Sequence, residues 1–412
     1  MQPARQVIRE FRWKEIFPAL MLLRVFRSSI RIHALFLSLV ATILISQGWH
    51  AIAIVCLPED DPIRERIELA VWEPRHVYGS PDLALKNTVS GITSSRVFEP
   101  LAQVYERFAL PVRELFSPQK SYAQRGYYLL GFGWTLLIGS FFAGVICRTA
   151  AFDLAASQER YGVFRAVRYV LARMKSFLGV QLIPIAVLFG MLLPIILLGC
   201  FASYVSPFVT SLLWGFALIW GLLLGMVGLV ILAAWPLLWP ALAAEESDAF
   251  DAIGSSIGYV SQRPFSYFLY VLIAAVVSSA GLILFSMIIQ LGMSLLSFGM
   301  FAGGGQDVYS LISASSRLPD KASTGVMNFW TFLASFLNDA YLFSVFWTSA
   351  TGVFLLLRYD VDGAELDEIY VDGDENEKPM PKLAREMGLT GEAASMTAPV
   401  APAPAASSVK AD

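Results

Sequence analysis

Long apolar runs alternate along the chain with shorter, charge-rich segments. Six runs reach the roughly 20 residues that a helix needs to cross a hydrocarbon core about 30 Å thick. They extend from Ala34 to Cys56, Gly126 to Cys147, Phe177 to Ser203, Pro207 to Trp235, Ser266 to Ser297 and Phe336 to Leu357, with central portions free of charge. The pattern predicts an all-α fold, a polytopic transmembrane helix bundle of six spans occupying residues 34–357. The third run holds Pro184 and Pro194, which predicts a kink. The fifth is long enough that its Ser278-Ser279-Ala280-Gly281 segment is the expected bend.

Charge between the runs is sorted. The arm over 1–33 carries Arg5, Arg9, Arg12, Lys14, Arg24, Arg27 and Arg31 against Glu10 and Glu15. The segment between runs two and three carries Arg148, Arg160, Arg165, Arg168, Arg173 and Lys175 against Asp153 and Glu159. Basic residues in short flanks stay cytoplasmic, so both termini are expected inside, and the long mixed-sign loop 57–125 outside. The arm is too long, and Val55 before Cys56 too large, for a cleaved signal, so the first run is read as a span. After Arg358 the chain turns acidic, from Asp360 to Glu377, then rich in Ala, Pro, Ser and Thr. Such a composition cannot bury a core and predicts a disordered cytoplasmic tail over 358–412.

A shift of 90 residues brings two segments into register: Ser157 on Ser247, Tyr169-Val170 on Tyr259-Val260, Arg173 on Arg263 and Ser176 on Ser266. Span two then falls on span four and span three on span five. This predicts a parallel internal repeat of span, cytoplasmic amphipathic helix and span. Span six and the arm with span one form a candidate third unit, split by the chain ends. In the first connector Phe164, Val167, Val170, Leu171 and Met174 recur at helical spacing among basic residues, so Arg160, Arg165, Arg168, Arg173 and Lys175 are candidates for contact with anionic lipid. The second connector opens on Glu245, Glu246, Asp248 and Asp251 and is expected to face protein or water. Within the outer loop, Val97-Phe98, Leu101, Val104-Tyr105, Phe108, Val112 and Leu115-Phe116 recur near 3.6 residues. They predict a helix resting on the outer interface, broken by Pro100 and Pro111.

Composition agrees with the pattern. The chain is 56% hydrophobic and 15% charged, with a mean hydropathy of +0.59, whereas soluble domains are about 45–50% apolar and 25% charged. A net charge of -3 argues against nucleic-acid binding. Three cysteines and three histidines leave little material for a metal site, and no cofactor is expected.

The chemical motifs are incomplete. Gly254-Ser255-Ser256-Ile257-Gly258 matches a nucleophile elbow, but His33, His50 and His76 all lie upstream of it. Ser117-Pro118-Gln119-Lys120 lacks the companion elements of penicillin-recognising enzymes, and Asp372-Gly373-Asp374 lacks the glycine and glutamate of a calcium loop. Gly139 with Ala143, and Gly221, Gly225 and Gly228, place small residues on helix stripes suited to close packing. Cys56 and Cys200 fall near the outer ends of their spans, where pairing is an open alternative to free thiols. The span centres lack ionisable groups, and polarity collects near the outer ends at Gln47, His50, Gln290, Asn338 and Asp339, a candidate outer vestibule.

Ala244 to Ala252, the Gln262-Arg263-Pro264 that ends this connector, and Leu357 to Gly363 after the last span resemble segments of uncharacterised bacterial six-span inner-membrane proteins. The segment ending in Gln-Arg-Pro is also similar to membrane domains attached to some glycerophosphodiesterases, although the catalytic domain of those enzymes is missing. The resemblance implies residence in the bacterial inner membrane and little chemistry. The residues point first to a non-enzymatic scaffold or assembly partner that meets lipids, and protein partners through its connectors and tail. The alternative is a permease or lipid-handling transporter not driven by intramembrane charge.

Overall fold

The computed structural model describes residues 18–64, 99–117, 119–155, 161–204, 207–245, 247–314, 322–364, 366 and 369–370. Among the described residues there are twelve α-helices and no strand. Six helical segments are long and apolar enough to cross a membrane, so the chain is a multi-pass membrane protein built as an all-α bundle. The expected tail beyond 370 lies outside the described residues.

Span one is α2 (Ile32–Cys56), span two α4 (Tyr122–Ala155), span three α6 (Met174–Tyr204), span five α11 (Pro264–Ala314) and span six α12 (Ala322–Asp362). Span four is bent: α8 (Trp214–Ala234) passes through a 3-10 turn at Trp235–Leu237 into α9 (Leu238–Ala244). Pro236 and Pro240 supply no backbone N–H at the bend. This span therefore begins later and ends deeper than the Pro207–Trp235 run suggests, because Pro207–Leu212 folds as a separate short helix, α7. The connecting helices are α1 (Leu23–Ser29), α3 (Glu99–Leu115), α5 (Val163–Ala172) and α10 (Ala249–Gln262). The α5/α6 and α10/α11 junctions, after Ala172 and Gln262, fall 90 residues apart.

The two expected sites of distortion lie inside continuous helices. Span five is not interrupted at Ser278–Gly281, since α11 runs unbroken for 51 residues. Its small residues there form a contact surface: Ser278 Oγ lies 2.9 Å from Ser349 Oγ, and Gly281 faces Phe26 and Tyr341 with no room for a Cβ. Helix α6 likewise continues through Pro184 and Pro194. The Trp220 indole donates to the Met191 carbonyl (2.8 Å), next to Gly190, whose usual amide donor Pro194 removes.

Lipid tails are as apolar as leucine, so spans associate through close approach of small residues and hydrogen bonds. Span six is the centre: every residue in its most apolar stretch is buried. Spans one and two interlock reciprocally. Gly48 of α2 faces the Trp134 ring of α4, and Gly131 of α4 faces the Trp49 ring of α2. The two indoles donate to Leu44 O (2.9 Å) and Thr135 Oγ1 (2.9 Å). Spans three and four differ, with no residue of span four's most apolar stretch buried.

The bundle end that carries α1, α5 and α10, the connector face, is laced together. Arg24 donates to Leu154 O (2.9 Å) and Asp153 O (3.1 Å), and Arg31 pairs with Asp153. The Tyr169 hydroxyl of α5 donates to Leu242 O (2.8 Å) at the end of span four. The Tyr259 hydroxyl of α10 donates to Asp362 at the end of span six. Each connecting helix thus grips the terminal turn of a different span. The described part of the N-terminal arm is not a free element, since Met21, Leu22, Val25 and Ser29 are buried.

Arg148 belongs to this core rather than to the basic connector, because α4 continues past Cys147 to Ala155. Its side chain is completely buried. Nη1 donates to Ala243 O (2.5 Å) and Nη2 to Tyr370 O (2.6 Å). The guanidinium lies 4.1 Å from the Tyr169 ring centre and 5.0 Å from those of Phe152 and Tyr161. Two donors in one rigid plane thereby join the end of span four to the chain that follows span six.

Candidate functional site

Helix α3 is strongly amphipathic, and the structure seats it among the spans rather than on an interface. The Tyr105 hydroxyl donates to Leu232 O (2.8 Å), and its ring lies 5.2 Å from Trp235 and 6.5 Å from Phe346. Phe108 meets Trp235 at 4.8 Å, and a Cβ on Gly139 would stand 3.7 Å from Phe108 Cζ. Gly139 lies midway along the apolar run of span two, and Trp235 marks the bend of span four. Farther along the helix, Phe116 packs on Phe189 of span three (5.4 Å). Pro111 is accommodated inside the helix and buried rather than breaking it.

The opposite face of α3 is charged. Glu106 is exposed, and the Arg107 and Arg113 side chains keep 45% and 69% of their surface. Arg107 Nη2 pairs with Asp339 Oδ1 at 2.6 Å. Near the far end Glu114 pairs with Lys120 at 3.0 Å. Ionisable groups are therefore carried on a helix seated among the spans, and one of them meets Asp339 in the first turn of the Phe336–Asp362 span. In hydrocarbon such groups face a packed interior or a water-filled cavity, because an unsolvated charge is costly. Here the charged face is open.

One apolar recess touches this helix, and a second lies apart from it. One of about 70 Å³ lies between α11 and α12 under Tyr105, with the Tyr267, Ser278 and Ser349 hydroxyls among apolar side chains; it has the volume of about two waters. The other, about 510 Å³, lies between α6 and α8 and is lined by Pro194, Leu198, Phe201, Phe216 and Trp220 among others. The outward part of α8 also exposes Ile219, Leu222, Met226 and Leu229.

The expected vestibule divides. Asn338 Oδ1 accepts from Ser286 Oγ (2.6 Å), Gln290 follows one turn along α11, and Asp339 meets Arg107. These three share the α11–α12 pair. Gln47 is exposed on α2 and His50 Nδ1 is buried without a hydrogen bond; no described contact joins either to the other three. Helix α12 starts earlier, at Ala322, but the span within it runs Phe336–Asp362, so Asn338 and Asp339 stand in its first turn.

Among the packing glycines, Gly139 receives Phe108 and Ala143 is fully buried. Gly221 and Gly225 have nothing within 4 Å of a Cβ, and Gly228 meets only Leu188 at 3.9 Å. That stripe is not a helix–helix seam, because Gly221 and Gly225 face open space rather than the neighbouring α6. Arg165, Arg168 and Lys175 are exposed beside Phe164 and Leu171, a mixture suited to an interfacial helix. Arg173 instead stands over the Tyr169 and Tyr370 rings (4.9 and 5.6 Å). Arg160 lies outside the described residues. Glu245 faces Arg358 at 3.1 Å. Ser256, the serine of the elbow-like motif, is buried within α10, a helix interior rather than a strand-to-helix turn. Cys56, Cys147 and Cys200 are free thiols.

The sequence marked α3 as amphipathic but not Arg107 as the partner of Asp339, because a helix on a membrane surface and one inserted among spans share the same periodicity. No protein-family model, curated protein or solved structure matches this chain.

Proposed function

We propose that this protein is a lipid-handling transporter of the bacterial inner membrane, with the connector face and both termini cytoplasmic. The observation that carries the reading is the open charged face of α3, a helix seated among the spans. Moving a headgroup through hydrocarbon is costly because its charges lose their water. Glu106, Arg107 and Arg113 along one helix replace that solvation, while the acyl chains need no enclosure and stay in the surrounding lipid. The lipid-exposed surfaces of spans three to five provide the side from which a lipid enters. A parallel repeat fits this plan, supported by the junctions 90 residues apart and by the connecting helices that each grip a different span.

The test is movement of fluorescent phospholipid between leaflets in vesicles containing the purified protein. Acceleration over protein-free vesicles is expected; rates equal to those of the empty vesicles would refute the reading.

A second reading, a membrane scaffold with no transport activity, has its own support. Phe164, Phe250 and Phe265 on the connector face are 91%, 74% and 89% exposed, and an acidic tail follows in the sequence. Affinity capture in mild detergent should then return a reproducible protein partner, lost when all three are replaced by serine. Repeated capture of no partner would oppose it.

A further inference from the structure

We propose that Arg107 is the binding point for the phosphate of an anionic phospholipid headgroup, with Asp339 as the resting counter-ion that competes for it. The proposal rests on the transport reading above and names the substrate class of that site.

The geometry is that of an incompletely used fork. A guanidinium presents five N–H donors in one plane and binds phosphate through two of them at once. Arg107 gives Asp339 a single contact through Nη2, and its side chain keeps 45% of its surface. Nε and Nη1 donate to no described residue. In water those donors would be solvated at no cost. Beside Asp339, in the first turn of the Phe336–Asp362 span, they border the hydrocarbon and need water or an anionic acceptor.

Asp339 is more enclosed, at 17% side-chain exposure, so a ligand arriving from the open side reaches Arg107 first. A phosphodiester with two free oxygens fits the unused donors and shares or displaces the carboxylate. Tyr105 and Phe108 anchor the same helix by hydrogen bond and ring contact, so the guanidinium is held on a fixed element rather than a loose loop. Arg113, six residues along α3, is also open but already faces Glu114 at 3.8 Å.

The competition sets the sign of the test. Full-length protein is reconstituted with phosphatidylglycerol, with phosphatidylcholine, or with phosphatidylglycerol plus inorganic phosphate, and retained lipid is measured by native mass spectrometry. Wild-type protein should retain phosphatidylglycerol over phosphatidylcholine, and inorganic phosphate should not displace it. Arg107→Gln should lower retention about ten-fold, and Arg107→Lys, which keeps the charge but not the fork, should fall between. Asp339→Asn should raise retention several-fold by removing the competing anion. If the pair only holds α3 in place, both Arg107→Gln and Asp339→Asn lower retention or leave it unchanged, and the proposal is overturned. Displacement by inorganic phosphate would also overturn the lipid assignment. Should Arg107→Gln fail to fold, the rise or its absence in Asp339→Asn still decides. Leaflet exchange that persists unaltered in Arg107→Gln with unchanged retention rejects this inference while sparing the transport reading. Retention that follows the predicted order without any exchange does the reverse.

Discussion

Replacing Arg148 should loosen the connector face even though Arg148 has no carboxylate partner among the described residues. Its two charge-assisted hydrogen bonds to Ala243 O and Tyr370 O contribute about 1.5–3 kcal/mol each, and its place over the Tyr169 ring adds about 2 kcal/mol in a desolvated setting. Against this, removing a buried cation recovers several kcal/mol of desolvation. The hydrogen-bond contributions already include the cost of the two carbonyls that Arg148→Met leaves without donors. The balance is a net loss of about 3 kcal/mol, which lowers the melting midpoint by roughly 3–4 °C for a chain of this size. Arg148→Lys tests the cause: one ammonium on a flexible stem cannot span carbonyls on two separate segments, so it should recover less than half of the loss. The assay is thermal melting of the full-length protein in mild detergent, with amide exchange at Tyr370, whose N–H donates to Ala244 O (3.1 Å). Exchange there should quicken in both variants. Wild-type melting and exchange in Arg148→Lys would show that charge alone matters and refute the two-point argument.

Other consequences follow from packing and burial. Gly131→Ala places a methyl against the Trp49 ring and should cost about 1–3 kcal/mol, whereas Gly225→Ala enters open space and should change stability by less than about 0.5 kcal/mol; equal effects in melting experiments would contradict the packing described. Burial pushes the Glu245 carboxyl above its ordinary value of 4.5, Arg358 opposing and Asp362 adding to the rise. A raised folded-state pKa means that this group's contribution is full below its ordinary value and is lost as pH rises through the raised one. Melting midpoints of wild type and Glu245→Gln should therefore diverge upward from about pH 4.5, to the disadvantage of the wild type; divergence in the other direction would refute the sign.

The six spans were legible because length and apolarity are local properties. So were α5 and α10, whose apolar positions recur at helical spacing. Depth was not legible. Arg148 reads as the first residue of a basic connector, yet Thr149-Ala150-Ala151-Phe152 carries the helix onward and keeps the guanidinium inside. Gly131 and Gly225 look alike in sequence; only the presence of Trp49 opposite the first, and of nothing opposite the second, separates them. The periodicity of α3 predicted its two faces correctly, but nothing in it says that Gly139 leaves room for Phe108 or that Asp339 waits for Arg107. Charge within the bundle was missed because it enters on a loop helix rather than on a span.

The seat of α3 is the most direct point of decision. In a chain with the three native cysteines replaced, Phe108→Cys and Gly139→Cys are combined and treated in membranes with a short bifunctional thiol reagent. Phe116→Cys with Phe189→Cys serves as a control nearer the end of the helix. Efficient intramolecular cross-linking of both pairs is predicted. Cross-linking of neither pair would place α3 on the membrane surface and contradict its seat among the spans.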